Sequence, residues 1–121
     1  MVFEPSAAPH ERQKFLEWYR LQTKWSEDHS YNDPIVSTPS LQEYFRDITN
    51  IFPAMNGPFG SDDVDNPKVT DHCVGRNVIY SAFAWSCAEQ AYTVVRQLAA
   101  KHRIGFFDVS AENGDIILPV E

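Results

Sequence analysis

The feature that most restricts this chain is a change of hydrophobic period between residues 69 and 103. Residues 69–74 and 78–85 are rich in β-branched and aromatic side chains, with Gly75-Arg76-Asn77 between them. That pattern predicts a hairpin in which Gly75 supplies a positive φ, and a two-residue Gly75-Arg76 turn pairs Val74 with Asn77 and His72 with Ile79. From Ala88 onward the period becomes helical, with Ala91, Tyr92, Val95, Leu98, Ala99 and His102 recurring on one face. Ser86-Cys87-Ala88-Glu89 fits an S-x-x-E capping box, while Arg96, Lys101 and Arg103 complement the negative end of the helix dipole.

The remaining segments fit around this unit. Residues 1–5, MVFEP, predict a short strand ended by Pro5. Over 10–25, Phe15, Trp18, Tyr19, Gln22 and Trp25 fall at helical spacing, giving an aromatic buried stripe. Asn32-Asp33-Pro34 marks a turn within a polar loop. Thr38 then reads as the N-cap, and Pro39 as the first residue, of a second helix with the stripe Leu41, Tyr44, Phe45, Ile48, Ile51 and Phe52, stopped at Pro53. Residues 52–66 lack either period and predict a long exposed loop, of a length that is often functional. Gly105 reads as the stop of the third helix, 106–109 as a strand, and Asn113-Gly114 as a type I′ turn into a last strand over 115–118. The order is β-α-α-β-β-α-β-β. Because the strands arrive mostly as hairpins, the expected fold is a single α+β domain: a mostly antiparallel sheet of about five strands with three helices on one face.

Charge and cysteine usage narrow the class of function. With 17 acidic against 10 basic residues the net charge is −7, which disfavours nucleic acid and anionic membranes and favours a basic partner. No apolar run approaches the span of a bilayer, and the first residues lack the pattern of a signal peptide, so the chain reads as cytoplasmic. Two isolated cysteines, Cys73 and Cys87, agree with a reducing compartment.

Catalytic and metal patterns are not legible. Cys87 at a helix start would feel the positive end of the dipole, which activates a thiol. In the expected register, however, His72 pairs with a position eight residues before Cys87, about 25 Å of extended chain, and His102 lies about 22 Å along the same helix, so only His10 or His29, brought in by folding, remain as a base. Cys87 therefore reads as a buried thiol packed behind Trp85. There is no C-x-x-C, no H-E-x-x-H and no His pair at helical spacing, and SDDVDNP lacks the ligand spacing of a calcium loop. Gly57-Pro58-Phe59-Gly60 reads as a turn rather than a phosphate cradle, because Pro58 removes a donor. No catalytic residue, metal ligand or cofactor is assigned.

Two loops are both acidic and aromatic. One carries Trp25, Glu27, Asp28, Tyr31 and Asp33; the other carries Asp62, Asp63 and Asp65 and is followed by Asp71. Carboxylates steer a basic partner and accept bidentate Arg contacts, while exposed aromatic rings anchor interface cores, so these nine residues form the expected partner-binding surface. The competing reading is a solvated loop with Trp25 and Tyr31 turned into the core.

The blocks FLEWY, SYNDP, TPSLQEYF, FPAMNGP, NVIYSAFAWSCAEQAY and KHRIGFFDVS, which together span nearly the whole chain, resemble a family of small, mostly uncharacterised bacterial proteins that includes immunity proteins paired with interbacterial toxins. The resemblance implies a non-enzymatic protein that binds and neutralises a cognate toxin or effector protein, and a few further residues before the first strand. For a toxin acting on nucleic acid, the cleft would be basic and the aspartates would substitute for phosphates. Two other classes compete. One is a small enzyme or ligand-binding domain with a pocket between helices and sheet, lined by Trp18, Tyr92, Trp85 and Phe106; the other is a homo-oligomeric module pairing through a strand edge.

Overall fold

The computed structural model describes residues 1–63, 65–111 and 113–119. Its elements are β1 (Val2–Phe3), α1 (Arg12–Gln22), α2 (Pro39–Ile51), β2 (Asp71–Val74), β3 (Val78–Ala82), α3 (Ala88–Lys101), β4 (Gly105–Phe107) and β5 (Ile116–Ile117). The strands make one sheet in the order β2-β3-β1-β4-β5, with every pairing antiparallel. This is the expected α+β class in the expected element order. The short first strand lies at the centre of the sheet: Val2 pairs with Ile79 and Phe106, and Phe3 with Val78 and Gly105.

Hairpin connectivity alone predicts helices on one face, whereas the helices take both. Strand alternation sends neighbouring residues to opposite sides. Val2, Val74, Ile79 and Phe106 pack with Leu41, Tyr44, Phe45 and Ile48 of α2 and Ala91, Val95 and Ala99 of α3. Phe3, Val78 and Phe107 instead pack with Phe15 of α1, with Trp18 and Tyr19 against them. The sheet is thus sandwiched between α1 and the α2–α3 pair. Each side needs its own apolar stripe, which explains why α1 is so aromatic: Phe15 meets Phe3 and Phe107 edge to face, with centroids 4.9 and 5.2 Å apart.

Several local expectations are corrected by what the sheet demands. The Phe3 ring covers Gly105, where a Cβ would come within 2.2 Å of ring carbons. Gly105 therefore serves the sheet, and the left-handed residue that stops α3 is Arg103, at φ 55°. Around it, Ile104 N–H donates to Ala99 O (3.0 Å) and Arg103 N–H to Ala100 O (3.3 Å), the pair of bonds that closes a Schellman end. At the other end of α3 the capping box does not form. A 3-10 turn over Trp85–Cys87 precedes the helix, and Cys87 occupies the N-cap position without a side-chain bond. Thr38 likewise sits at the N-cap of α2 without capping it; its hydroxyl donates to Glu4 Oε2 at 3.2 Å.

The hairpin register is displaced by two residues from the expected one. Val74 pairs with Ile79 and His72 with Ser81, and Gly75 N–H donates to Val78 O at 2.8 Å, so the turn is Arg76-Asn77. A slide of two preserves side-chain facing, so the buried set is unchanged. Gly75 is not in the left-handed region; the glycine that is, with φ 86°, is Gly57. The β4–β5 connection spans 108–115 rather than a tight Asn113-Gly114 turn, and Gly114 is needed because a Cβ there would lie 1.8 Å from Asp108 O. β3 also ends earlier than expected: it stops at Ala82, and Trp85 is 94% exposed instead of covering Cys87.

Candidate partner-binding surface

The first acidic loop is largely committed to holding itself on the sheet. After α1, Trp25 adopts φ 52°, outside the helix whose stripe it was expected to join, and its ring lies edge to face with Tyr31 and Tyr80. Tyr31 C=O accepts from Val74 N–H at 2.8 Å, which fixes the loop to the end of β2. The Tyr31 hydroxyl accepts from Glu27 N–H (2.6 Å) and donates to Glu27 O (3.0 Å). Glu27 Oε1 accepts from Arg76 N–H at the hairpin turn (3.1 Å) and from His29 Nε2 (2.5 Å). Asp33 accepts from Ile35 N–H at 3.0 Å and caps the following 3-10 turn.

These bonds change the roles expected of four residues. Trp25, Glu27, Tyr31 and Asp33 are all partly covered and build the loop; only Asp28 of this group is fully exposed. The His29 ring donates to Ser30 O at 2.7 Å as well as to Glu27, and those acceptors raise its pKa above the ordinary 6.5. Glu27 is therefore a latch, joining His29 of its own loop to the Arg76 N–H of the β2–β3 turn.

The second loop is tied to the fold at its base. Ser61 N–H donates to Ala54 O (2.8 Å), Thr70 N–H to Pro53 O (2.8 Å) and Met55 N–H to Thr70 O (3.0 Å). Beyond these ties Asp62, Asp63 and Asp65 are exposed, as is Asp71 at the start of β2. Among the described residues the ion pairs join Glu27 to His29, Asp47 to Lys101 and His102, and Glu43 to His102, and none uses these four aspartates or Asp28. The two loops touch through Gly57, where a Cβ would lie 2.2 Å from Asn32 O. Trp25 and Asp71 also meet, at a shallow cleft on the α1 side of the sheet that Tyr19, Cys73 and Tyr80 share. The fold thus joins the two acidic loops and divides their residues between anchoring and exposure.

A larger cleft, of about 390 Å³, opens between α3 and the sheet beyond Met1, with Ser81, Phe83, Trp85, Tyr92, Phe106 and Asp108 among its walls. Three of the four residues expected around a pocket between helices and sheet line it. Trp18 does not, because it packs on the opposite side against Phe3 and Phe15, at 6.0 and 5.6 Å. Ser81 and Asp108 were missed; neither polar residue carries a motif, and only the tertiary pairing brings them to one cleft.

His72 is buried, with Nδ1 accepting from Ser81 Oγ at 2.7 Å and Nε2 donating to Phe52 O at 3.0 Å. Burial lowers its pKa below the ordinary 6.5, so the neutral ring satisfies two buried polar groups. Cys87 is buried and directs its thiol to Pro67 O at 3.7 Å. Burial and the Asp71 charge push the Cys73 thiol up, opposite to activation. Among the described residues no three His, Cys, Asp or Glu side chains converge on a metal-sized site, and no helix is long and apolar enough to cross a membrane. No protein-family model matches this chain, and neither a curated protein nor a solved structure matches it.

Proposed function

We propose that this protein is a non-catalytic binding protein that docks on a basic partner through its joined acidic loops, and that its partner is a bacterial toxin or effector which it neutralises in the manner of an immunity protein. The observation that carries the reading is the separation of roles within the two loops: Glu27 and Asp33 are consumed in main-chain bonds, whereas Asp28, Asp62, Asp63, Asp65 and Asp71 stand exposed without a cation partner among the described residues. Free carboxylates on a well-anchored frame raise encounter rates with a basic surface and accept Arg and Lys without competition from internal pairs. The net charge of −7 acts in the same direction. For a toxin that acts on nucleic acid, the same carboxylates would occupy positions that phosphates take.

Co-expression with the product of the adjacent upstream reading frame tests the role. Relief of toxicity together with co-purification is the expected result, and loss of both overturns it. The surface is tested separately by replacing Asp62, Asp63 and Asp65 with Asn. Protection that survives this change undiminished would move the interface elsewhere. The second reading, a ligand-binding domain, draws on the cleft lined by Trp85, Tyr92 and Phe106.

A further inference from the structure

The smaller cleft, of about 310 Å³, lies over β2 and β3 on the face of the sheet turned to α1, with β3 between it and β1. The register sets Cys73 opposite Tyr80 and Asp71 opposite Ala82. Alternation from Val74 and Ile79, which pack with α2 and α3, turns these side chains to the α1 side. Tyr19 on α1 and Trp25 just after it complete the walls. Each ring is held from behind: Tyr19 meets Phe107 edge to face at 5.0 Å, and Trp25 meets Tyr31 at 5.2 Å. Trp25 and Tyr80, with centroids 6.3 Å apart and planes at 80°, form a corner. Trp25 takes its place there with φ 52°, a conformation that a bulky residue keeps only when its surroundings fix it, and one that gathers at ligand clamps. The bonds from Arg76 N–H to Glu27 and from Val74 N–H to Tyr31 O fix it here.

Among the described residues no Lys, Arg or His lines this cleft, and its chemistry attracts a cation. The Asp71 carboxylate is exposed and in no ion pair among those residues. The phenols of Tyr19 and Tyr80 are partly exposed and, unlike that of Tyr31, have no hydrogen bond among them. Burial, and then the Tyr80 phenol, raise the Tyr19 pKa above the ordinary 10.0, so its O–H stays neutral. Ring faces and a carboxylate both draw positive charge. A guanidinium suits them better than an ammonium: it is flat, stacks on rings, is more weakly hydrated and offers five donors to carboxylate and phenol oxygens. Resting on the basic-partner reading above, we propose that this cleft takes an arginine side chain of the partner, with its head paired to Asp71 and its face on the corner of Trp25 and Tyr80. The net charge of −7 steers such a side chain toward it. The first loop then does more than brace the hairpin turn, since it presents Trp25 to the partner.

The test titrates Nα-acetyl-arginine amide into the full chain and follows the Trp25 indole N–H and the Cys73 amide by NMR. Saturable shifts at both are expected, with the Trp85 indole as the control. Asp71→Asn removes an exposed charge that no internal ion pair uses, so the fold is kept, and it should weaken binding at least tenfold. Tyr80→Leu, which keeps an apolar side chain in β3, should weaken it severalfold. The citrulline analogue, of the same shape without the charge, should not bind. Absence of shifts at Trp25 overturns the proposal, as do shifts that saturate at Trp85 instead and an unchanged affinity in Asp71→Asn. A citrulline or lysine analogue that binds as tightly as arginine overturns it too. The cleft and the toxin reading fail separately: arginine binding without protection in co-expression discards the toxin and keeps the cleft, whereas protection without arginine binding discards the cleft and keeps the toxin.

Discussion

The two acidic loops look alike in sequence and behave differently in the fold. In residues 25–33 the carboxylates of Glu27 and Asp33 accept main-chain N–H groups, and the rings of Trp25 and Tyr31 lock together at 5.2 Å. In residues 59–65 the carboxylates of Asp62, Asp63 and Asp65 take part in no ion pair among the described residues, and Phe59 is the ring that reaches back, edge to face with Phe45 at 5.5 Å. The first loop is a frame and the second is a display. The difference teaches that an acidic residue near a hairpin turn is as much an acceptor for orphan N–H groups as a charge for a partner, and only the fold decides which.

The contact that joins the loops offers the largest lever. Gly57→Val forces a β-branched residue to φ 86° and drives its Cβ onto Asn32 O, so a loss of about 1–3 kcal/mol from backbone strain alone is expected in denaturant unfolding. An unchanged midpoint would mean that the loops do not depend on each other. Glu27→Ala leaves Arg76 N–H and His29 without their acceptor, and should cost about 1–3 kcal/mol, with Tyr31 and Trp25 gaining solvent exposure by fluorescence. The triple Asn replacement of Asp62, Asp63 and Asp65 should shift stability by no more than about 0.5 kcal/mol while lowering partner association. A stability loss comparable to that of Glu27→Ala would erase the distinction between frame and display.

The smallest effect is a pH dependence of opposite sign at two histidines. His29 has a folded pKa raised above 6.5 by Glu27 and Ser30, so its latch contributes fully below that value and is lost as pH rises through the folded pKa. His72 has a folded pKa lowered by burial, so its contribution is present above 6.5 and is lost as pH falls through the folded value. Proton NMR titration should find His29 above and His72 below the ordinary value, with Glu27→Gln returning His29 toward it. The two titrating together would show that the loop latch is not formed in solution.

Particular residues show where sequence reasoning reached its limit. The period of α2 and α3 is local, so Leu41, Tyr44, Phe45 and Ile48, and Ala91, Val95 and Ala99, were legible as buried stripes. The aromatic stripe of α1 was equally legible, but not the face of the sheet that it covers, because a hairpin leaves both faces open. Gly105 carried a helix-stop signal that Arg103 in fact executes, since the Phe3 ring, 102 positions away in the chain, needs the glycine. Of the candidate site, the acidity was plain in the sequence, whereas the latch from Glu27 to Arg76 joins positions 49 residues apart.

By itself the sequence determined what short-range physics can specify: the element order, the antiparallel pairing by hairpins, the apolar stripes and the surplus of negative charge. Only the tertiary structure decided that two residues of the first strand divide the sheet, that the helices take both faces, and that Glu27 accepts from the N–H of Arg76 at the β2–β3 turn. The reason is that strand partners, and the acceptors that satisfy each N–H, are chosen by chain closure over long separations, and no local pattern records that choice.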